Sequence, residues 1–193
     1  HLDVAEIDLD GVRGDRLLRV DVGSEFVTAR TRPGLLGIQA TIGPAGEPAI
    51  DGCDWRTDRA GATLERAGAG GRFSSTHTGE RFDSSPVHLV GEGTVEALGT
   101  DVRRLRPNLI VAGLAPLAED GWIDTEIAVG DAVLSVRERC VRCVITTFDP
   151  DSLSQDAGVL RRINSDFDGR IGVLCEVARP GVVRPGEPVE IRT

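Results

Sequence analysis

No lysine occurs in the 193 residues, so all 22 basic residues are arginine. That absence excludes Schiff-base catalysis, which needs an amine nucleophile, and a phosphate loop whose lysine reaches the terminal phosphates. Basic runs are missing too, and the formal charge is −9. Duplex nucleic acid demands a cluster of phosphate-neutralising cations, so nucleic acid is excluded as a partner. No apolar run reaches the length of a membrane-spanning helix, which removes the membrane as a partner. A second CxxC and a pair of neighbouring histidines are absent, leaving a four-ligand zinc site without donors. Aromatic residues are few, 5 Phe and 2 Trp, so a core must be built from Val, Ile and Leu.

What is present reads as mostly β. Apolar residues make up 40% of the chain, and 24 Gly with 10 Pro punctuate it into many short strands and turns. A chain of this length can bury about 70% of its unfolded surface, enough for a core. Four cysteines in a chain this long, without a hydrophobic leader, point to a reducing, cytoplasmic setting rather than a disulfide scaffold. His1 is not an initiating residue, which leaves room for preceding chain.

Residues 4–9 alternate apolar and acidic, residues 11–16 form a turn, and residues 17–22 alternate again. A further strand is expected over 26–31 and, after the Arg32-Pro33-Gly34 break, another over 35–42. Residues 43–79 are rich in Gly, Ala, Arg and Thr and read as a surface connection with one short strand at 62–66, pinned by Cys53 and Trp55. Beyond it the periodicity sharpens into a strand at 87–90, a helix at 92–98 stopped by Gly99, and a buried-type strand at 109–112. A hairpin over 123–136 turns at Gly130-Asp131, a short helix covers 159–163, and strands at 171–177 and 188–191 close the sheet.

The chemistry centres on Cys140-Val141-Arg142-Cys143. Arg137, Arg139 and Arg142 surround the pair in sequence, and cations stabilise the thiolate, the form that acts as nucleophile or metal ligand. The segment is expected to continue as a strand and to carry an acidic thiol. Side chains three apart on a strand face opposite ways, so only one thiol faces a given pocket and Arg142 points away from Cys143. The competing reading is an inert core thiol, since free cysteine is among the most buried residue types. A thioredoxin-type pair would have to open a helix, which Val and Ile neighbours disfavour.

Arg106-Pro107-Asn108, Ala118-Glu119-Asp120-Gly121-Trp122, Val129-Gly130-Asp131, Arg142-Cys143, Thr146-Thr147 and Asp149-Pro150 come one after another in this order. That series resembles the MOSC domain, the module of molybdenum cofactor sulfurase C-termini and amidoxime-reducing components. The resemblance implies a MOSC-like β-barrel with a few short helices over residues 81–193. Gly11-Val12-Arg13-Gly14-Asp15-Arg16 and Thr28-Ala29-Arg30 are similar to the small N-terminal β subdomain that accompanies many such domains, giving a truncated first region at residues 1–80. The Lys-Ser pair that normally opens that subdomain is absent.

By resemblance, the cofactor is molybdopterin with Mo, and Cys143 is its protein ligand, a soft sulfur suited to the metal. The same resemblance puts Asp83 beside the metal as a catalytic residue and gives Arg30, Ser84, Ser85, Arg106 and Asn108 the pterin and its phosphate. The implied reaction is reduction of N-hydroxylated compounds, with electrons from a separate donor protein because four suitably spaced iron-sulfur thiols are lacking. The alternative is a non-catalytic carrier holding a persulfide on Cys143 for metal-sulfur cluster assembly. Plainer roles compete residue by residue. Asp83, Ser84 and Ser85 equally suit a capping turn. Arg30, Arg106 and Asn108 equally suit solvated surface, as Arg103 and Arg104 do. Glu119 and Asp120 read as a loop shaping the pocket rim, and His88 as a core histidine.

Overall fold

The computed structural model describes residues 4–43, 46–76 and 84–192. The acidic-apolar alternation at the start produces β1 (Ala5–Asp8), with Ile7 buried, and the chain turns into β2 (Gly11–Val12). β3 (Leu18–Val22) and β4 (Glu25–Val27) form the expected hairpin. The strand anticipated over 26–31 stops early, because the Thr31 and Arg32 N–H groups both donate to the Thr28 carbonyl and close a turn. The strand anticipated over 35–42 is instead a 3-10 turn at Pro33–Gly37 leading to β5 (Ala40–Ile42). Pro33 sits in the first turn of that element, where its missing N–H costs nothing.

Residues 46–76 depart furthest from expectation. They hold β6 (Pro48–Ile50), β7 (Cys53–Asp54), helix α1 (Asp58–Arg66) and β8 (Arg72–Ser75). The stretch anticipated as a strand at 62–66 is the second half of α1. Thr57 caps the helix by accepting the Ala60 N–H, and Ala60, Thr63 and Leu64 share one buried face. β8 pairs with β3 to give the sheet β4-β3-β8, while β5, β6 and β7 form a second small sheet. Leu64, Val20 and Ala69 are the centre of this region's own core.

The rest of the chain builds a six-stranded sheet. Its parts are β9 (Val87–Gly91), β10 (Leu109–Val111), β11 (Glu126–Val129), β12 (Ala132–Val141) and β13 (Arg170–Arg179), with the short β14 (Gly181–Val183) preceding β15 (Val189–Arg192). The order is β10-β9-β13-β12-β11-β15, parallel only between β10 and β9. Helix α2 (Glu92–Leu98) crosses between β9 and β10, stopped by Gly99 in the left-handed region at φ +66, and α3 (Ala157–Asp166) precedes β13. Val87, Leu89, Ile127, Leu134, Val136 and Val173 fill the main core. Val90, Leu98, Leu105, Ile163, Phe167 and Ile171 form a second cluster that joins both helices to the sheet. β14 leaves this sheet and pairs with β1, Ala5 opposite Val183, so the first strand and a late one share hydrogen bonds. Strands dominate, as the composition and the resemblance implied.

The cysteine segment does not continue as a strand. β12 slips register against β13 between Val136 and Glu138 and again between Arg139 and Val141, and it ends at Val141. Such bulges bend a strand and redirect the residues beyond them. Cys143 then heads a 3-10 turn at Val144–Thr147. The hydroxyls of Thr146 and Thr147 fold back onto the carbonyls of Cys143 and Val144 at 2.9 and 2.7 Å, which stabilises this local turn over a ladder.

Candidate active site

Cys143 is half-buried at the head of its turn, neither sealed in the core nor fully open. The turn is fastened on both flanks to the segment that carries Arg106. On one side, Arg142 donates from Nη2 to the Leu105 carbonyl at 2.6 Å and from its backbone N–H to Gly169 O at 2.9 Å. On the other, Arg104 donates to Thr147 O at 2.9 Å and to Asp149 Oδ2 at 3.0 Å. Asp149 organises the next loop by accepting from the N–H of Asp151 and from the N–H and hydroxyl of Ser152. The bonds from Ser152 and Asp151, then Arg104, hold its carboxyl below the usual range. Arg103 pairs with Asp101 and Asp151 beside it.

Between these segments lies an open hollow of about 260 Å³. Arg103, Arg104 and Arg106 line it together with Leu36 from the 3-10 turn at Pro33–Gly37 and with Ile145, Phe148 and Pro150 from the Cys143 turn and its continuation. Arg106 differs from its two neighbours. Its backbone is left-handed at φ +53, an unusual state for a non-glycine residue that tends to persist at functional sites. Its guanidinium has no hydrogen-bond or ion-pair partner among the described residues. Although the residue as a whole is exposed, surrounding protein and the like charge of Arg16 push its pKa down, against the opposing charge of Asp15. A charged, forked donor in such surroundings is suited to an anion.

The other anticipated ligands are distributed unevenly. Ser84 and Ser85 precede β9, one exposed and one half-buried, and neither hydroxyl has a partner among the described residues. Asn108 is committed internally: Oδ1 accepts the His88 N–H at 2.9 Å and Nδ2 donates to Asp15 at 3.0 Å. Arg30 is exposed in the turn after β4 and does not line the hollow. Asp83 lies outside the described residues, as does His77.

The acidic thiol expected of the pair is not Cys140. Burial pushes that thiol up, outweighing the Arg142 charge and the 2.9 Å hydrogen bond from Arg142 Nη1 to its sulfur. Arg142 thus touches Cys140, and no contact between its side chain and the Cys143 sulfur is present among the described residues. Arg137 is bound to Glu176 at 2.8 Å and Arg139 to Asp120 at 2.9 Å, so neither supplies its charge to a thiol alone. Burial raises the Asp120 carboxyl, with Arg139 opposing.

Two buried polar residues shape the site from behind. Glu119 is fully buried rather than on a rim. Its oxygens accept the Gly91 N–H at 3.1 Å and the Thr94 hydroxyl at 2.9 Å, capping the start of α2. His88 is a core residue as expected, its Nε2 3.2 Å from Ile171 O. Sequence reasoning missed Arg104 as a fixed donor, since its side chain is only 11% exposed. The one local signal was the acidic Asp149-Pro150-Asp151 turn that binds it and Arg103.

A family model for the MOSC domain matches residues 75–190. The chain is 29% identical over 126 residues to mitochondrial amidoxime-reducing component 1 of Mus musculus, covering 55% of this chain and 36% of that protein. It is 37% identical over 76 residues to mitochondrial amidoxime reducing component 2 of Rattus norvegicus, covering 36% of this chain and 22% of the relative. Molybdenum cofactor sulfurase 2 of Culex quinquefasciatus is 36% identical over 83 residues, 43% of this chain and 10% of that protein. The matched stretch thus spans little more than a third of these relatives at most. Among solved structures, YiiM from Geobacillus stearothermophilus superposes with a TM-score of 0.44 at 17% identity, over 56% of this chain and 55% of that one. The YUAD protein from Bacillus subtilis gives 0.46 at 16% identity, over 98% and 85%.

Proposed function

The chain belongs to the MOSC domain family, and on that premise we propose that it binds a molybdenum cofactor through Cys143 and reduces N-hydroxylated compounds. One observation supports the proposal: Ile145 of the turn headed by Cys143 lines one hollow together with Arg106, whose guanidinium has no partner among the described residues, and the Arg142 bond to Leu105 ties the two segments to each other.

The residues present fit the cofactor in part. Cys143 offers a soft sulfur at a half-buried position, and Arg106, Ser84 and Ser85 offer a guanidinium and two hydroxyls without partners among the described residues. Asn108 fits less well, since its amide is already spent on His88 and Asp15, and Arg30 stands away from the hollow. When bound, the cofactor would supply two-electron redox chemistry at its metal. Cys143 would anchor it and Arg106 would hold its anionic end. Arg104 and Arg142 would fix the spacing between those two, and Ile145 and Phe148 would exclude water from one side.

Electrons would come from a separate donor protein, and the substrate is a small N-hydroxylated molecule. Among the described residues no helix is long and apolar enough to cross a membrane. Four free cysteines accord with a reducing compartment such as the cytoplasm.

The test is purification from a host that makes the cofactor and from one that cannot, with assay of molybdenum and oxidised pterin per chain. Near-stoichiometric metal, lost in Cys143→Ser, together with donor-dependent reduction of an N-hydroxylated compound, is the expected result. Metal absent from both preparations overturns it. Cyanide-releasable sulfur without molybdenum would identify the persulfide carrier instead.

A further inference from the structure

The six-stranded sheet ends on β15, which pairs with β11 on one side and has no strand on the other among the described residues. Its register with β11 runs unbroken from Val189 opposite Val129 to Arg192 opposite Glu126, so no bulge turns this edge away from a partner. Pro188 stands just before the strand and leaves its four residues free of proline. Ile191 lies opposite the core residue Ile127 and on the same face as Val189, yet it is 51% exposed. Glu190 and Arg192 are exposed on the other face. Neither side chain has an ion pair or hydrogen bond among the described residues.

This edge is complementary to itself. We propose that β15 pairs antiparallel with β15 of a second copy of the chain, about a two-fold axis at Ile191, joining two six-stranded sheets into one. In that register Ile191 meets Ile191, and Glu190 of each copy lies opposite Arg192 of the other, which gives two equivalent ion pairs. A slip of one residue would set the apolar face of one strand level with the polar face of the other. A slip of two would set Glu190 against Glu190 or Arg192 against Arg192, and like charges directly opposite destabilise a ladder. The surroundings favour the same occupant. Glu190 borders an open hollow of about 330 Å³ together with Asp131 and Glu187, and the one cation paired with these carboxylates among the described residues is Arg184, beside Glu187. The proposed register brings Arg192 of the second copy to Glu190, next to this acidic hollow. A four-residue strand is short beside the about 800 Å² per partner of a stable complex, so the dimer is a reversible one that protein concentration controls.

The experiment is sedimentation velocity of the full chain over a range of concentrations, with amide exchange at residues 189–192 followed in the same samples. A monomer–dimer equilibrium is expected, with exchange at those amides slowing as the dimer fills. Glu190→Arg and Arg192→Glu each set like charges opposite at both pairs and are expected to weaken the dimer about tenfold. The two exchanged together restore opposite charges in the same register, and the parent affinity is expected to return to within about twofold. Ile191→Lys places two ammonium groups across the axis and is expected to leave a monomer at every concentration. Denaturation midpoints identify any variant that fails to fold. A parent chain that stays monomeric throughout overturns the proposal and leaves the edge to a strand of another protein. So does a dimer that folded Ile191→Lys leaves intact, or one that the double exchange fails to recover. No outcome depends on whether molybdenum is found on the chain.

Discussion

Acid should destabilise this protein through His88 in a way that can be isolated. The ring is 5% exposed within β9, and its pKa falls from 6.5 to about 4, chiefly through burial and next through the charge of Arg142. The carbonyls of Ile171 and Arg106 oppose that fall without reversing it. Because the folded value lies below the unfolded one, the unfolded chain binds more protons in the window between them. The His88 contribution is complete above about pH 6.5, declines as pH falls, and levels off below about pH 4. The gap corresponds to about 3 kcal/mol in full and about 2.5 kcal/mol by roughly pH 4.5. Urea denaturation at pH 7.5 and 4.5, on the parent and on His88→Gln, reads it, since carboxylate effects common to both cancel in the difference. The parent is expected to lose about 2.5 kcal/mol more than the variant. Equal losses, or a His88 ring resonance that titrates near its unfolded value, would refute the reasoning.

Glu119→Ala strands the Gly91 N–H and the Thr94 hydroxyl in a buried place, and a stability loss of about 3 kcal/mol is expected from chemical denaturation. A loss below about 1 kcal/mol would mean that water reaches those donors. Arg104→Ala releases Thr147 O and Asp149, so amide exchange at residues 151–153 is expected to quicken by about tenfold with the sheet unaffected. Unchanged exchange there would show that the Asp149 loop holds itself without the arginine.

The features legible in the sequence are those that obey a local period. The strand at β9, the helix stopped by Gly99, the turn at Gly130-Asp131 and the start of α3 each carry their pattern within about ten residues, which is the range over which alternation or helical spacing operates. Helix α1 was hidden by Gly61 and a Gly-rich context, although Thr57 and the apolar spacing of Ala60 and Leu64 were there to be read. At the site, residue types were legible but partners were not. The Arg142 bond to Leu105 spans 37 residues, the Arg104 bond to Asp149 spans 45, and the Asn108 bond to Asp15 spans 93. No local pattern foretells where a long guanidinium or a carboxamide finds its acceptor. Cys140 obeys the same limit, since burial, invisible in sequence, outweighs the charge of the Arg142 beside it.

The pairing of β1 with β14 orders events during synthesis. Residues 5–8 leave the ribosome well before residues 181–183, so β1 gains this neighbour only once β14 has emerged. The bonds from Arg142 to Leu105 and from Arg104 to Thr147 and Asp149 join residues that emerge earlier, so the Cys143 turn can be fastened before that pairing forms. A nascent chain halted before β14 would then carry its sulfur turn with one edge of β1 still open.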